Sequence, residues 1–280
     1  MGVRISGAFP FLQALMLLLF VEIAPAASEL LNLEGDLVQG GMAIGHVSPD
    51  EKVSVNGIGV RVSANGVFVL GFGRDAALEN HVEVTSGDGR KRTKLVKIGK
   101  RAYKVQRIDG LPQKKVTPPK MDWARIKKEN TMVKQARKLD DSRTDFLGGF
   151  VWPVKGRISG VYGSQRILNG TPKRPHMGVD VAAPTGTKVV APADGMVTLV
   201  HDDMFYSGGT LLVDHGHGLT SSFLHLSRIL VKKGSRVRQG DIIAEVGSTG
   251  RATGPHLHWG LNLFGTRLDP QLAAGPMDKK

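Results

Sequence analysis

The chain has no cysteine among its 280 residues. That excludes disulfide staples, thiolate metal sites and cysteine nucleophiles, so any metal site must be built from His, Asp or Glu. It also lacks an uninterrupted run of the ~20 apolar residues that a membrane-spanning helix needs. The apolar stretch near the start, "FLQALMLLLFV", is short and is broken on either side by Pro10 and Glu22 and internally by Gln13. Arg4 precedes it, and "APAAS" offers a small-residue cleavage site near Ala26. Residues 1–27 therefore read as a cleaved signal peptide, with an uncleaved anchor as the rival. Without cysteine a lipidated N-terminus is excluded. The mature protein is expected in the periplasm or cell envelope, and membrane contact through this segment is expected only if it stays uncleaved. An apolar content of 41% is that of a globular protein, and the length is sufficient for two small domains.

Acidic residues are scarce in the middle of the chain. From Arg90 to Arg143 there are 19 Lys/Arg against five Asp/Glu, so the formal charge of +13 resides there. Such a stripe suits an anionic polymer. In an exported protein the candidates are cell-wall carboxylates, lipid phosphates or a membrane surface, not nucleic acid. A solvated basic linker without a partner is the competing reading.

Three regions follow from the pattern. Residues 28–110 alternate apolar and polar positions, with Asn56-Gly57, Asn65-Gly66 and Asp88-Gly89 between the runs. These pairs tolerate positive φ and favour tight hairpins, so the region predicts a small β-sandwich-like domain. His46 and His81 are isolated within it. Residues 111–145 open with "LPQKKVTPPK", a linker composition, and continue into "MDWARIKKENTMVKQARKL". Trp123, Ile126, Val133 and Ala136 fall near helical spacing and Asp122 is a candidate N-cap, so one basic amphipathic helix of about 16–18 residues is expected. It is expected to pack on a neighbouring domain. Residues 146–280 carry short β-branched runs between Gly and Pro turns, with helical signals only at the end. They predict an all-β domain.

Seven of the nine histidines lie beyond residue 150, which focuses attention on that domain. "PHLHWGL" places His256 and His258 two apart in an expected strand, where both rings project from one face. His176 and Asp180, in "HMGVD", lie in an expected loop leading into a strand. Two His and one carboxylate form a catalytic zinc set that leaves a position for water. Spacing alone does not say which of His256 and His258 would bind a metal. A second His-x-His, His215 and His217 in "DHGHG", is interleaved with glycine and reads as a solvated turn. No His-Glu-x-x-His pattern is present, so a thermolysin-like carboxylate base is not indicated. Nor is there a recognised carboxylate pair for sugar cleavage.

"HMGVD" with "GPHLHWG", bridged by "YSGGTLLVDHGHG" and "SSFLHLS", resembles the lysostaphin/LytM-type zinc peptidases, the M23 family. The resemblance covers roughly residues 148–270. It implies Zn2+ held by His176, Asp180 and His258. It also implies catalytic roles for His256 and its partner His225, and peptidoglycan as the substrate, cut at a peptide cross-link. Tyr206 would border the substrate groove, while Arg166 and Trp259 read as structural. Family members that have lost ligands act as activators of other wall enzymes, but all five key positions are present here. An activator, or a zinc peptidase acting on exported proteins or peptides, remains the alternative.

Overall fold

The structure, a computed structural model, describes residues 1–2 and 31–277. The expected signal segment lies, apart from its first two residues, outside the described residues.

The N-terminal half contains β1 (Leu33–Gly35), β2 (Met42–His46), β3 (Lys52–Val55), β4 (Ile58–Val60), β5 (Val67–Gly71), β6 (Glu79–Thr85) and β7 (Lys91–Lys97). They form two sheets, ordered β1-β2-β5 and β4-β3-β6-β7. Phe68, Leu70, Val82, Val84 and Val96 share one core with Phe72 and Ile98. Asn56 and Gly57, at φ +49° and +79°, turn β3 back into β4 as Asn-Gly chemistry requires.

β5 departs from simple alternation because its sequence, Val-Phe-Val-Leu, is buried on both faces. Successive strand side chains point to opposite faces. Phe68 and Leu70 enter the N-terminal core, while Val67 and Val69 enter the core of the C-terminal half. This one strand is therefore shared by two cores.

Next come β8 (Val105–Ile108), α1 (Gln113–Val116) and α2 (Trp123–Ala136). Leu111 and Val116, within the expected linker, are buried together with Leu168. α2 is shorter than expected, and it buries only part of the expected stripe. Met132, Val133 and Ala136 pack on Leu199, Met204 and Leu212, whereas Trp123 is 57% exposed. Asp122 does not cap the helix with its side chain. It lies in a 3-10 turn, Lys120–Asp122, with αR backbone angles in place of the extended conformation of a capping residue.

The C-terminal half comprises β9 (Arg157–Gly160), β10 (Gln165–Leu168), β11 (Thr171–Pro172), β12 (Val179–Ala182), β13 (Lys188–Val190), β14 (Gly195–Met204), β15 (Gly208–Asp214), β16 (Leu219–Leu226), β17 (Arg228–Ile229), β18 (Arg236–Val237), β19 (Ile242–Glu245), β20 (His256–Leu263), β21 (Thr266–Leu268) and the short helix α3 (Pro270–Ala274). The main sheet is ordered β18-β14-β15-β16-β20-β12-β9, with β21 beside β20. A smaller sheet is ordered β13-β19-β17, and β10 and β11 form a third with β8 of the upstream segment. The fold is mainly β, as the turn-punctuated sequence predicts.

Because β5 serves both cores, adjacent substitutions should both be felt. Phe68→Ala is expected to cost about 3–5 kcal/mol, and neighbouring Val69→Ala should also destabilise measurably. A silent Val69→Ala in urea denaturation would show that the second core does not depend on β5.

Candidate metal centre

Register assembles the site. β12 and β20 are antiparallel, with Asp180 opposite His258 and Ala182 opposite His256. Directly opposed residues project from the same face, so one pairing brings the carboxylate to the ring. His176 enters from the loop before β12. His258 Nδ1 lies 2.8 Å from Asp180 Oδ1. His176 Nε2 lies 3.0 Å from the same oxygen and 2.9 Å from His258 Nδ1. Two glycines make room. A Cβ on Gly160 would stand 2.5 Å from Asp180 Oδ2, and one on Gly178 would stand 2.7 Å from His258 Nε2.

The donor chemistry fits a cation. His176 Nδ1 lies 3.2 Å from the Val161 carbonyl. Donation there leaves Nε2 with a bare lone pair facing a carboxylate oxygen and a second imidazole nitrogen. Three lone-pair atoms converging this closely repel one another unless a positive charge lies between them. Two imidazoles and one carboxylate are the ligands of a catalytic zinc site. Burial opposes ionisation of Asp180, but His176 and His258 beside it hold its carboxyl well below the usual range. Burial also pushes His258 down to about 4.

His256 and His225 flank the cluster. His256 Nε2 is 3.9 Å from Asp180 Oδ1, and the rings of His225 and His256 are 4.7 Å apart. Each makes a hydrogen bond through Nδ1 to a carbonyl, Thr249 for His225 and Gly254 for His256, both at 2.8 Å. These bonds fix the tautomer that leaves Nε2 available. Leu224, not His225, is opposite His258 in the β16–β20 register. Regular pleating would therefore turn His225 away. Its backbone instead adopts φ +66°, a conformation rare outside glycine, and this re-aims the ring. Burial, with His256 and His258 adding to it, pushes His225 down to about 3.

Arg166, read from sequence as structural, bonds Asp180 Oδ2 through Nη2 at 2.7 Å. Nothing in its local sequence marks it. Arg166, Asp180, His225 and His256 line, with Arg251, a cavity of about 150 Å³ whose other wall includes Gln106, Ile108 and Leu111 from the upstream segment. Tyr206 stands one residue back, its ring 4.7 Å from the Arg251 guanidinium.

The expectation for His215 and His217 is corrected. Neither joins the cluster, and neither is solvated: they are 0% and 2% exposed. His215 bonds the Asp194 carbonyl and Ser221 Oγ at 2.6 and 2.8 Å. Phe146 and Phe150 cover the two rings edge-on. The upstream segment that carries these phenylalanines closes over the turn, which the local "DHGHG" pattern does not reveal.

Comparison with known proteins identifies the family of the chain. The profile of peptidase family M23 matches residues 174–270. The chain is 42% identical over 130 residues to the peptidoglycan DD-endopeptidase ShyA of Vibrio cholerae, covering 45% of this chain and 30% of that protein. It is 42% identical over 103 residues to the DD-carboxypeptidase/endopeptidase Mpg of Neisseria meningitidis, covering 37% and 24% respectively. The chain thus spans less than a third of the length of these curated relatives. A crystal structure of a Pseudomonas aeruginosa protein assigned to peptidase M23 superposes with a TM-score of 0.64 at 30% identity, covering 86% of this chain and 96% of that one.

The buried histidines predict a pH dependence of stability. Unfolded histidines titrate near ~6.5, whereas burial pushes His215 down to about 4 in the fold. Between these values the unfolded chain binds a proton that the folded chain does not, so stability falls as pH drops through that window. In metal-free protein the urea midpoint should fall between about pH 7 and about pH 5, and His215→Gln should reduce that slope. Equal slopes in the two proteins would mean His215 is not held neutral.

Proposed function

The chain belongs to peptidase family M23, and from that premise we propose that it is an exported zinc-dependent endopeptidase that hydrolyses peptide cross-links of bacterial peptidoglycan. The observation that carries this reading is the convergence of His176, Asp180 and His258, with His225 and His256 poised beside them. The endopeptidase names of ShyA and Mpg support the substrate class.

His176, Asp180 and His258 would hold the metal, with Arg166 fixing Asp180 through one oxygen and leaving the other for coordination. Bound zinc supplies Lewis acidity, lowering the pKa of its water toward ~7 and polarising the scissile carbonyl. His225 and His256, each with Nδ1 committed to a carbonyl, present Nε2 to the reacting atoms. One takes the proton of the attacking water, and while protonated that ring donates a hydrogen bond to the developing oxyanion before passing the proton to the leaving amine. Burial, with His256 and His258 adding to it, keeps the resting His225 ring neutral in the physiological range.

A gated form of the same activity is favoured by the wall that Gln106, Ile108 and Leu111 make over the cavity. β8 lies parallel to β10, and Gln106 Nε2 donates to the Ser159 carbonyl at 3.2 Å. A cross-linked peptide must displace this segment to reach the histidines.

Digestion of purified peptidoglycan, with muropeptides separated by mass, tests the function. Cross-linked dimers should become monomers, and His258→Ala should abolish the conversion. His225→Ala and His256→Ala should keep zinc yet lose at least ~100-fold in turnover. Equal loss of bound zinc in either variant would overturn its role. Ile108→Glu should raise the rate if β8 is a barrier, and an unchanged rate would remove the gate.

A further inference from the structure

A second charged cleft lies at the other end of β20, roughly 20 Å along the strand from the catalytic histidines. It has a volume of about 300 Å³ and forms where the last turns of α2 face the β20–β21 hairpin. Lys134, Arg137 and Lys138 line it from one side and Arg267 from the other, with Asn130 and Phe264 at its rim. No Asp or Glu lines it.

These cations are not spoken for. Among the described residues none of the four makes an ion pair. The acids that follow in sequence are engaged elsewhere, Asp140 with Arg61 and Asp141 with Arg143. Arg137 Nε is buried without a hydrogen-bond partner. Arg267 gives one nitrogen to Asn262 Oδ1 and retains further donors. Burial, followed by repulsion from Arg267, lowers the pKa of Arg137, and burial lowers that of Arg267. Two largely buried guanidinium groups lining one cleft without an anion leave a cost that a bound anion would relieve.

We propose that this cleft binds a multiply charged phosphate-bearing group. A single carboxylate would offset only one of four positive charges, whereas a phosphate monoester carries about −1.5 to −2 at neutral pH. Planar guanidinium forks match phosphate oxygens bidentately, and the lysines add point charge. The site is separate from the peptidase centre and does not depend on its activity. A soluble phosphate and a lipid headgroup ending in a phosphate monoester present the same chemistry, and the two arms of the test separate them.

The full-length protein would be titrated with inorganic pyrophosphate by calorimetry at low ionic strength, and sedimented with phosphatidylcholine vesicles with or without phosphatidic acid, whose headgroup is a phosphate monoester. Arg137→Gln and the double variant Lys134→Gln/Lys138→Gln should each weaken binding at least ~10-fold, the loss of a charge-assisted contact. Lys232→Gln/Lys233→Gln, on a different surface, should change it less than ~2-fold. Arg137→Gln should leave the melting temperature level or higher, because it removes an unpaired charge; this separates lost binding from lost folding. Pyrophosphate binding alone identifies a soluble phosphate. Binding to phosphatidic acid vesicles that is lost in the variants identifies a headgroup. Absence of both, or binding indifferent to these positions, overturns the proposal.

Discussion

The antiparallel register of β12 against β20 is the constraint on which the site depends. It opposes Asp180 to His258 and puts His256 two residues along on the same face. Side-chain period in a strand is two, so a slip of one residue would send both histidines to the opposite face. The register is held by core residues between and beside the ligands: Val179, Val181, Leu257 and Trp259 are all fully buried. Ligands and core side chains therefore alternate along the same strands. Packing on one face fixes chemistry on the other.

The upstream half reaches the site through the loop before β10. The Val161 carbonyl orients His176, and Arg166 orients Asp180. Between them, Gly163 gives its carbonyl to Arg74 Nε at 2.7 Å and lies against the Tyr103 ring. Tyr162 bonds the Arg267 carbonyl, and Arg101 pairs with Asp269. Residues from the N-terminal sandwich and the segment after it thus support the groups that orient two of the three candidate ligands. β5, buried in both cores, ties the two halves mechanically. The N-terminal half is part of the scaffold that sets ligand geometry.

Much of this was legible in the sequence, for identifiable reasons. Alternation and Asn-Gly or Asp-Gly turns reveal strands because they are local. His-x-His reveals a shared face because strand period is fixed. What local pattern does not carry is packing between distant segments. "DHGHG" reads as a solvated turn until residues 141–150 are laid over it, with the Arg143 carbonyl so close to Gly216 that a side chain there would collide. His225 shows the same limit from another direction. Only the resemblance to a family pointed to it, since regular pleating would turn it from the site and a positive φ reverses that. Arg166 and the upstream wall belong to long-range contacts and leave no local signature. Trp123 fits the helical stripe, yet the helix packs only Val133 and Ala136 of that stripe, with Met132, on the sheet and leaves Trp123 exposed, because the sheet it meets is chosen by topology and not by its own period.

The basic middle segment is also less uniform than its composition suggests. Arg92 pairs with Glu51, Arg125 with Glu129 and Asp203, and Arg143 with Asp141, Asp145 and Asp214. Those charges do structural duty, stitching the segment to the two sheets, and exert little field at a distance once paired and screened. The surplus that can act on a partner is what lacks an internal acid. In the last turns of α2 that surplus meets Arg267, a cation contributed by the hairpin of the C-terminal half. A linker that merely tolerated lysine would have no reason to draw a half-buried arginine from another element to the same cleft. The convergence of cations from two elements, with the neighbouring acids turned to other partners, distinguishes a recessed anion site from a solvated basic surface.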